Sequence, residues 1–177
     1  EEGLDFIPAN IELSGVEMSL FNAMSRETIM RNVLRQVKSK YDYILIDCPP
    51  ALGLLTLNAL VAADTVLLPV QPEFYALEGL SQLIATVRQV KRLYNPTLEI
   101  EGVLLTMFDG RLNQTQQVVH EIKRFFPRKL FSATIPRTVR LSEAPSFGQP
   151  IQYYDPSSRG AAAYRAVAEE LVGTVRR

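Results

Sequence analysis

Apolar positions along the chain switch repeatedly between two spacings. From Glu73 to Leu93 they recur at helical intervals, with Leu77, Leu80, Leu83, Ile84, Val87 and Val90 on one face. The same spacing predicts helices over 12–23, 26–39 (Ile29, Val33, Leu34, Val37), 53–63, 114–126 and 156–172. Asn10 or Ser14 is positioned to cap the first of these, and Asn95-Pro96 stops the long one. Between them lie short apolar runs, predicting strands at 4–8, 43–47, 65–70, 98–107 and 130–135, of which 65–70 is rich in β-branched residues. Gly102 falls inside the fourth strand, where it eases a bend. Strands alternating with helices predict an α/β fold, a mostly parallel twisted sheet with helices on both faces.

The stretch Tyr41–Gly53 organises the rest. Ile44, Leu45 and Ile46 make a run suited to a strand buried on both faces, and Pro49 and Pro50 then stop it. Asp47 is thereby expected at the carboxyl end of a central strand, where open α/β sheets bind ligands. A carboxylate there suits a magnesium ion held through water. A plain turn, with Asp47 accepting from nearby backbone amides, fits the same residues.

Composition narrows the class. Hydrophobic residues make up 47% and charged residues 21% of 177 positions, which excludes a disordered chain or a coiled coil. No apolar run approaches the length of a membrane span. The single cysteine, Cys48, forms no internal disulfide and is expected to pack as a small hydrophobe, in keeping with a cytoplasmic setting. Charge is zero overall but uneven: residues 1–102 hold 8 Lys/Arg against 13 Asp/Glu, and residues 103–177 hold 11 against 6. Arg111, Lys123, Arg124, Arg128, Lys129, Arg137 and Arg140 form the densest basic stretch, an expected surface for an anionic partner or a solvated helix face. His120 stands without metal-ligand company and reads as a surface residue. The chain opens on Glu1, close to a predicted strand, and so reads as a single, incomplete domain over 1–177 belonging to a longer protein.

Six stretches then point to a family: Tyr41–Pro50, Leu54–Leu60, Pro69–Leu80, Glu101–Asp109, Ile135–Gly148 and Tyr154–Ala161. In this order they resemble the ParA/Soj chromosome- and plasmid-partitioning ATPases, relatives of MinD in the deviant P-loop class. The family's Gly-rich phosphate loop with its two lysines, the strand–loop–helix that opens the fold, has no counterpart in the sequence, which holds no Gly-Lys-Thr run. Without the loop's amides and lysine, catalysis loses most of its electrostatic support, so no catalytic residue is assigned and these 177 residues are expected not to hydrolyse ATP.

The resemblance implies ATP and Mg2+ as cofactors and a role for each matching residue. Asp47 matches the position that contacts magnesium through water, and Pro49, Pro50 and Gly53 the switch segment that senses the γ-phosphate, with Gly53 giving it room to move. Thr106, Met107, Pro136 and Arg137 match the pocket for the nucleotide base, although MinD-like relatives tend to carry asparagine where Met107-Phe108-Asp109 stands. Arg111 and Arg140, in loops beside the basic helix, match positions that bind double-stranded DNA without sequence preference; Lys123 and Arg124 are weaker candidates. Glu73, Tyr75 and Glu78 match a motif near the dimer face. The implied partners are DNA, a ParB-like protein that stimulates hydrolysis, and a second copy in the ATP state, in a cytoplasmic, nucleoid-associated protein with no membrane role. A non-catalytic scaffold and a MinD-like membrane-site regulator are the rival readings; the latter calls for a C-terminal amphipathic helix, for which Gly173–Arg177 is too short.

Overall fold

The structure, a computed structural model, describes residues 3–73 and 76–175, the side chains at 14, 114, 174 and 175 apart. The capping role expected of Ser14 and the dimer-face role expected of Tyr75 lie outside the described residues. The chain divides into two compact units, Glu1–Asp64 with Thr86–Leu98, and Thr65–Ala85 with Glu99–Arg177.

In the first unit, helix α1 (Glu12–Leu20) begins where the Asn10 side chain accepts from the Glu12 amide at 3.1 Å, the local turn that asparagine favours. A single 3-10 turn over Arg26–Thr28 leads into α2 (Ile29–Leu34), and α3 spans Leu54–Ala62. Buried Asn58 ties these together: its amide donates to the carbonyls of Arg26 (2.8 Å) and Leu54 (3.0 Å), and its oxygen accepts from the Met30 amide (3.1 Å). Buried Asn95 closes the far end of α3 by donating to the carbonyls of Leu60 and Ala63. Both polar side chains thus replace the water that helix termini would otherwise need.

Two expected strands are absent from this unit. Residues 4–8 and 43–47 form no ladder among the described residues, and Leu45 is 83% exposed. The apolar run Ile44–Ile46 has strand propensity, but a strand forms only against a neighbour that takes up its backbone groups. Asp47 therefore follows an open segment rather than ending a buried central strand.

The second unit carries the sheet. Strands β1 (Thr65–Val70) and β2 (Glu99–Leu105) pair in parallel, and helix α4 (Ala76–Leu93) connects them, its last turns counted with the first unit. The register slips once, from Val66↔Ile100 to Leu67↔Gly102, leaving Glu101 as an extra residue. Successive side chains of a strand point to opposite faces, and both faces are covered. Leu68, Val70, Val103 and Leu105 pack with Leu80 of α4 and with Val118, Val119 and Ile122 of α5 (Asn113–Phe125). On the other face Leu104 packs with Phe131, Ile135 and Val167. The α/β class with helices on both faces of a parallel sheet follows.

Residues 130–135 are not a regular third strand. They run beside β2 through isolated bridges, with the Val103 amide donating to Lys129 O (2.7 Å), and the Phe131 and Ile135 amides donating to Val103 O and Leu105 O (2.9 Å each). Between these bonds the amides of Ser132 and Ala133 donate to the Glu170 carboxylate at 2.8 and 2.9 Å. Glu170 thus takes the Ala133 donor that a continuous ladder would give to Leu105 O, together with the outward-facing Ser132 donor beside it. Gly102 lies against this segment: a Cβ there would sit 2.5 Å from the Phe131 ring and 2.7 Å from Lys129 O. Short helices α6 (Val139–Glu143) and α7 (Ile151–Tyr154) and the closing α8 (Arg159–Val175) complete the unit. Fully buried Ala161 and Gly160, whose Cβ would meet Leu141 at 2.8 Å, let α8 lie close to α6.

Candidate functional site

The switch-like segment after Asp47 ends in a tied helix start. Gly53 precedes α3 with φ of −83°, which any residue adopts, so backbone freedom is not what a glycine supplies there. Its need is space: a Cβ would stand 2.6 Å from Oε1 of Glu17, and that oxygen accepts from the Leu55 amide at 3.1 Å. Glu17 thus acts as a carboxylate cap on α3, favoured by the helix dipole. The Thr56 hydroxyl donates to Ala51 O at 2.7 Å, fastening the turn that follows Pro49 and Pro50. Asp47 is exposed, and no cluster of three or more metal-ligating side chains occurs among the described residues. A lone carboxylate suits magnesium, which keeps several waters and shares its remaining ligands with phosphate. Cys48 is exposed rather than packed, with its thiol pushed up by partial desolvation and then by the Asp47 carboxylate. A small side chain in an unpaired turn has no core to enter.

In the second unit the turn after β2, the segment after residue 133 and the start of α8 border an open cleft of about 710 Å3. Phe108, Pro136, Ala162 and Ala163 supply apolar walls, Arg137 and Arg159 supply positive charge, and Asp109 and Arg111 line it as an ion pair. Phe108 donates its amide to Ile135 O at 3.0 Å, so the two walls are joined by backbone. The size falls in the range of small-molecule sites, and flat apolar walls with nearby cations fit a base carrying an anionic group. Of the residues expected for the base, Pro136 and Arg137 line this cavity; Thr106 and Met107 precede it and are not among its lining residues. Met107 is 53% exposed with φ of 48°, the left-handed region that asparagine tolerates better than methionine. Sequence reasoning missed Arg159, which starts α8 beside the Gly-Ala run, and Asp109, two residues before Arg111.

The arginines expected to face DNA are exposed, and both are paired. Arg111 lies in the turn before α5, and its guanidinium meets Asp109 through Nε (2.9 Å) and Nη2 (2.7 Å). The Asp109 carboxyl is lowered to about 2 by the Arg111 side chain first and by its backbone amide second; Arg111 is raised in turn by Asp109. Arg140 sits in α6 rather than in a loop, because Thr138 caps that helix by accepting from the Leu141 amide. Its guanidinium lies 3.1 Å from Glu143 and 3.3 Å from Asp155, and Glu143 also accepts from the Tyr154 hydroxyl at 3.1 Å. Lys123 and Arg124 are exposed on the last turns of α5, with Arg124 3.7 Å from Glu121. Lys129 is drawn away by the Ile100 carbonyl. His120 is exposed, as a surface residue of α5 should be.

Residues 1–100 match the family model of an AAA domain. The chain is similar to the sporulation initiation inhibitor protein Soj of Bacillus subtilis, 57% identical over 96% of this chain and 67% of that protein. It is 54% identical to the chromosome partitioning protein ParA of Myxococcus xanthus, over 96% of this chain and 60% of the relative. It thus spans roughly three-fifths to two-thirds of these relatives. Among solved structures, cobyrinic acid a,c-diamide synthase from Mycobacterium smegmatis, bound to an ATP analog and magnesium, superposes with a TM-score of 0.79 at 34% identity, over 93% of this chain and 61% of that one. The cell division ATPase MinD of Pyrococcus furiosus gives 0.68 at 27% identity, over 83% and 58%.

Proposed function

The chain belongs to the Soj/ParA family of chromosome-partitioning proteins, with the α/β fold of P-loop NTPases, and from that premise we propose that it is the base-binding and DNA-facing portion of a partitioning ATPase. In this reading residues 1–177 are one incomplete nucleotide-binding domain. ATP binding drives dimerisation, the dimer binds DNA without sequence preference, and a ParB-like protein stimulates hydrolysis to release it. The chromosome-partitioning protein ParA is 54% identical and Soj 57%, whereas the amide synthase of the mycobacterial structure is 34% identical.

The observation that carries the reading is the turn Phe108–Arg111. It lines the cleft suited to a base and ends in the arginine that this reading assigns to DNA phosphate, so one short segment would serve both. Pro136 and Phe108 are suited to hold the base by flat apolar contact, and Arg137 and Arg159 to attract its anionic group. Asp47 would hold magnesium through water. The bound nucleotide and metal supply the phosphoryl chemistry and charge neutralisation. The chain's own residues supply binding, orientation and, through Glu17 of α1 capping α3, a fixed end to the switch segment.

The test compares ATP-dependent DNA binding by residues 1–177 and by the longer protein that carries the phosphate loop. The longer form is expected to bind DNA only with ATP and to lose binding on Arg111→Glu with Arg140→Glu, while residues 1–177 alone hydrolyse no ATP. Equal nucleotide-independent binding by the short form would replace this reading with that of a scaffold.

A further inference from the structure

Both arginines assigned to DNA already hold carboxylates. Arg111 presents Nε and Nη2 to the two oxygens of Asp109, and Arg140 is shared between Glu143 and Asp155. A guanidinium grips carboxylate and phosphate with the same planar pair of donors, so one anion displaces the other from that edge. The competitors are local, Asp109 two residues before its arginine and Glu143 three residues after on the same short helix. Neither can drift away when DNA arrives. Glu143 is fixed further by the Tyr154 hydroxyl, whose ring stacks on Phe147 with centroids 5.0 Å apart.

Exposed pairs of this kind contribute little to stability, so holding the fold together does not account for the arrangement. Its effect falls on the surface instead. A paired arginine contributes almost no net charge to an approaching phosphate, and a displaced carboxylate remains beside that phosphate as a like charge. We infer that Asp109 and Glu143 are internal competitors of DNA phosphate, which hold the affinity of this surface below what its arginines alone would give. The inference rests on the reading that Arg111 and Arg140 contact DNA.

The experiment uses the longer ATP-bound protein and a fluorescent random-sequence duplex, with affinity measured across a salt series. Asp109→Asn is expected to tighten binding roughly three- to fivefold. It should also steepen the slope of log affinity against log salt by about 0.9, one more phosphate neutralised. Glu143→Gln, away from the residues lining the cavity, should act in the same direction. In an Arg111→Gln background the gain from Asp109→Asn should vanish. If it persists there, the carboxylate acts through general charge and competition at Arg111 is refuted. If Arg111→Gln weakens binding but neither carboxylate variant changes affinity or slope, the inference falls and the DNA assignment stands. If Arg111→Gln and Arg140→Gln leave binding intact, the DNA assignment itself falls.

Discussion

Asp109 holds Arg111 from three directions: Oδ1 accepts from the backbone amide at 3.1 Å and from Nε at 2.9 Å, and Oδ2 accepts from Nη2 at 2.7 Å. These bonds favour the ionised carboxylate and lower its pKa to about 2, from an ordinary value of 3.8. A carboxyl depressed in the folded state adds stability above its unfolded pKa, a small amount here because solvent screens the exposed pair, and that contribution is lost as pH falls toward about 2. At pH 3, where a free aspartate is mostly protonated, Asp109 should still be ionised by carboxyl NMR. Arg111→Ala should return its titration toward the ordinary range, and an unchanged titration in that variant would remove the pair as its cause.

Gly102 sits where no side chain fits. Gly102→Ala should destabilise the protein by about 1–3 kcal/mol, as overpacking in a buried position does. Chemical denaturation measures it, and a neutral result would mean that the segment after residue 128 moves aside at no cost.

Glu170 binds the amides of Ser132 and Ala133 from α8. Glu170→Ala should cost about 1–2 kcal/mol, because two donors lose a charged acceptor and only water replaces it. Hydrogen exchange gives the local signature: both amides should exchange faster, while those of Val103 and Phe131 change little.

Met107 spends backbone energy at φ of 48° while 53% exposed. Met107→Asn should raise stability by about 0.5 kcal/mol, since asparagine tolerates the left-handed region and little packing is lost. A loss of stability in the same denaturation assay would show that the methionine side chain has a contact worth more than the strain.

Much of this was legible in the residues, for identifiable reasons. Thr65–Val70 and the long helix after it were readable because β-branched runs and helical spacing report burial directly, and both elements find partners in this chain. Ile44–Ile46 carries the same signal without a ladder to join, and propensity says nothing about the neighbour. The run after Lys129 failed as a strand because Glu170, far along the chain, takes its amides. At the site, motif matching reached Pro136, Arg137, Arg111 and Arg140 but not their counter-ions. Asp109 falls within a motif, yet the motif does not say which donors its oxygens meet. Arg159 lay in a stretch already singled out, and spacing gave no reason to bring it to the turn at 108–111.

Gly102 also bears on how this sequence can change over generations. Its obstruction by Phe131 is negotiable, because a smaller residue at 131 would clear the ring from its path. Its obstruction by the Lys129 carbonyl is not, because every amino acid brings the same oxygen to that place. No compensating exchange elsewhere opens position 102 while the backbone keeps this course. Descendants that retain the geometry are expected to wander at 131 and stand still at 102.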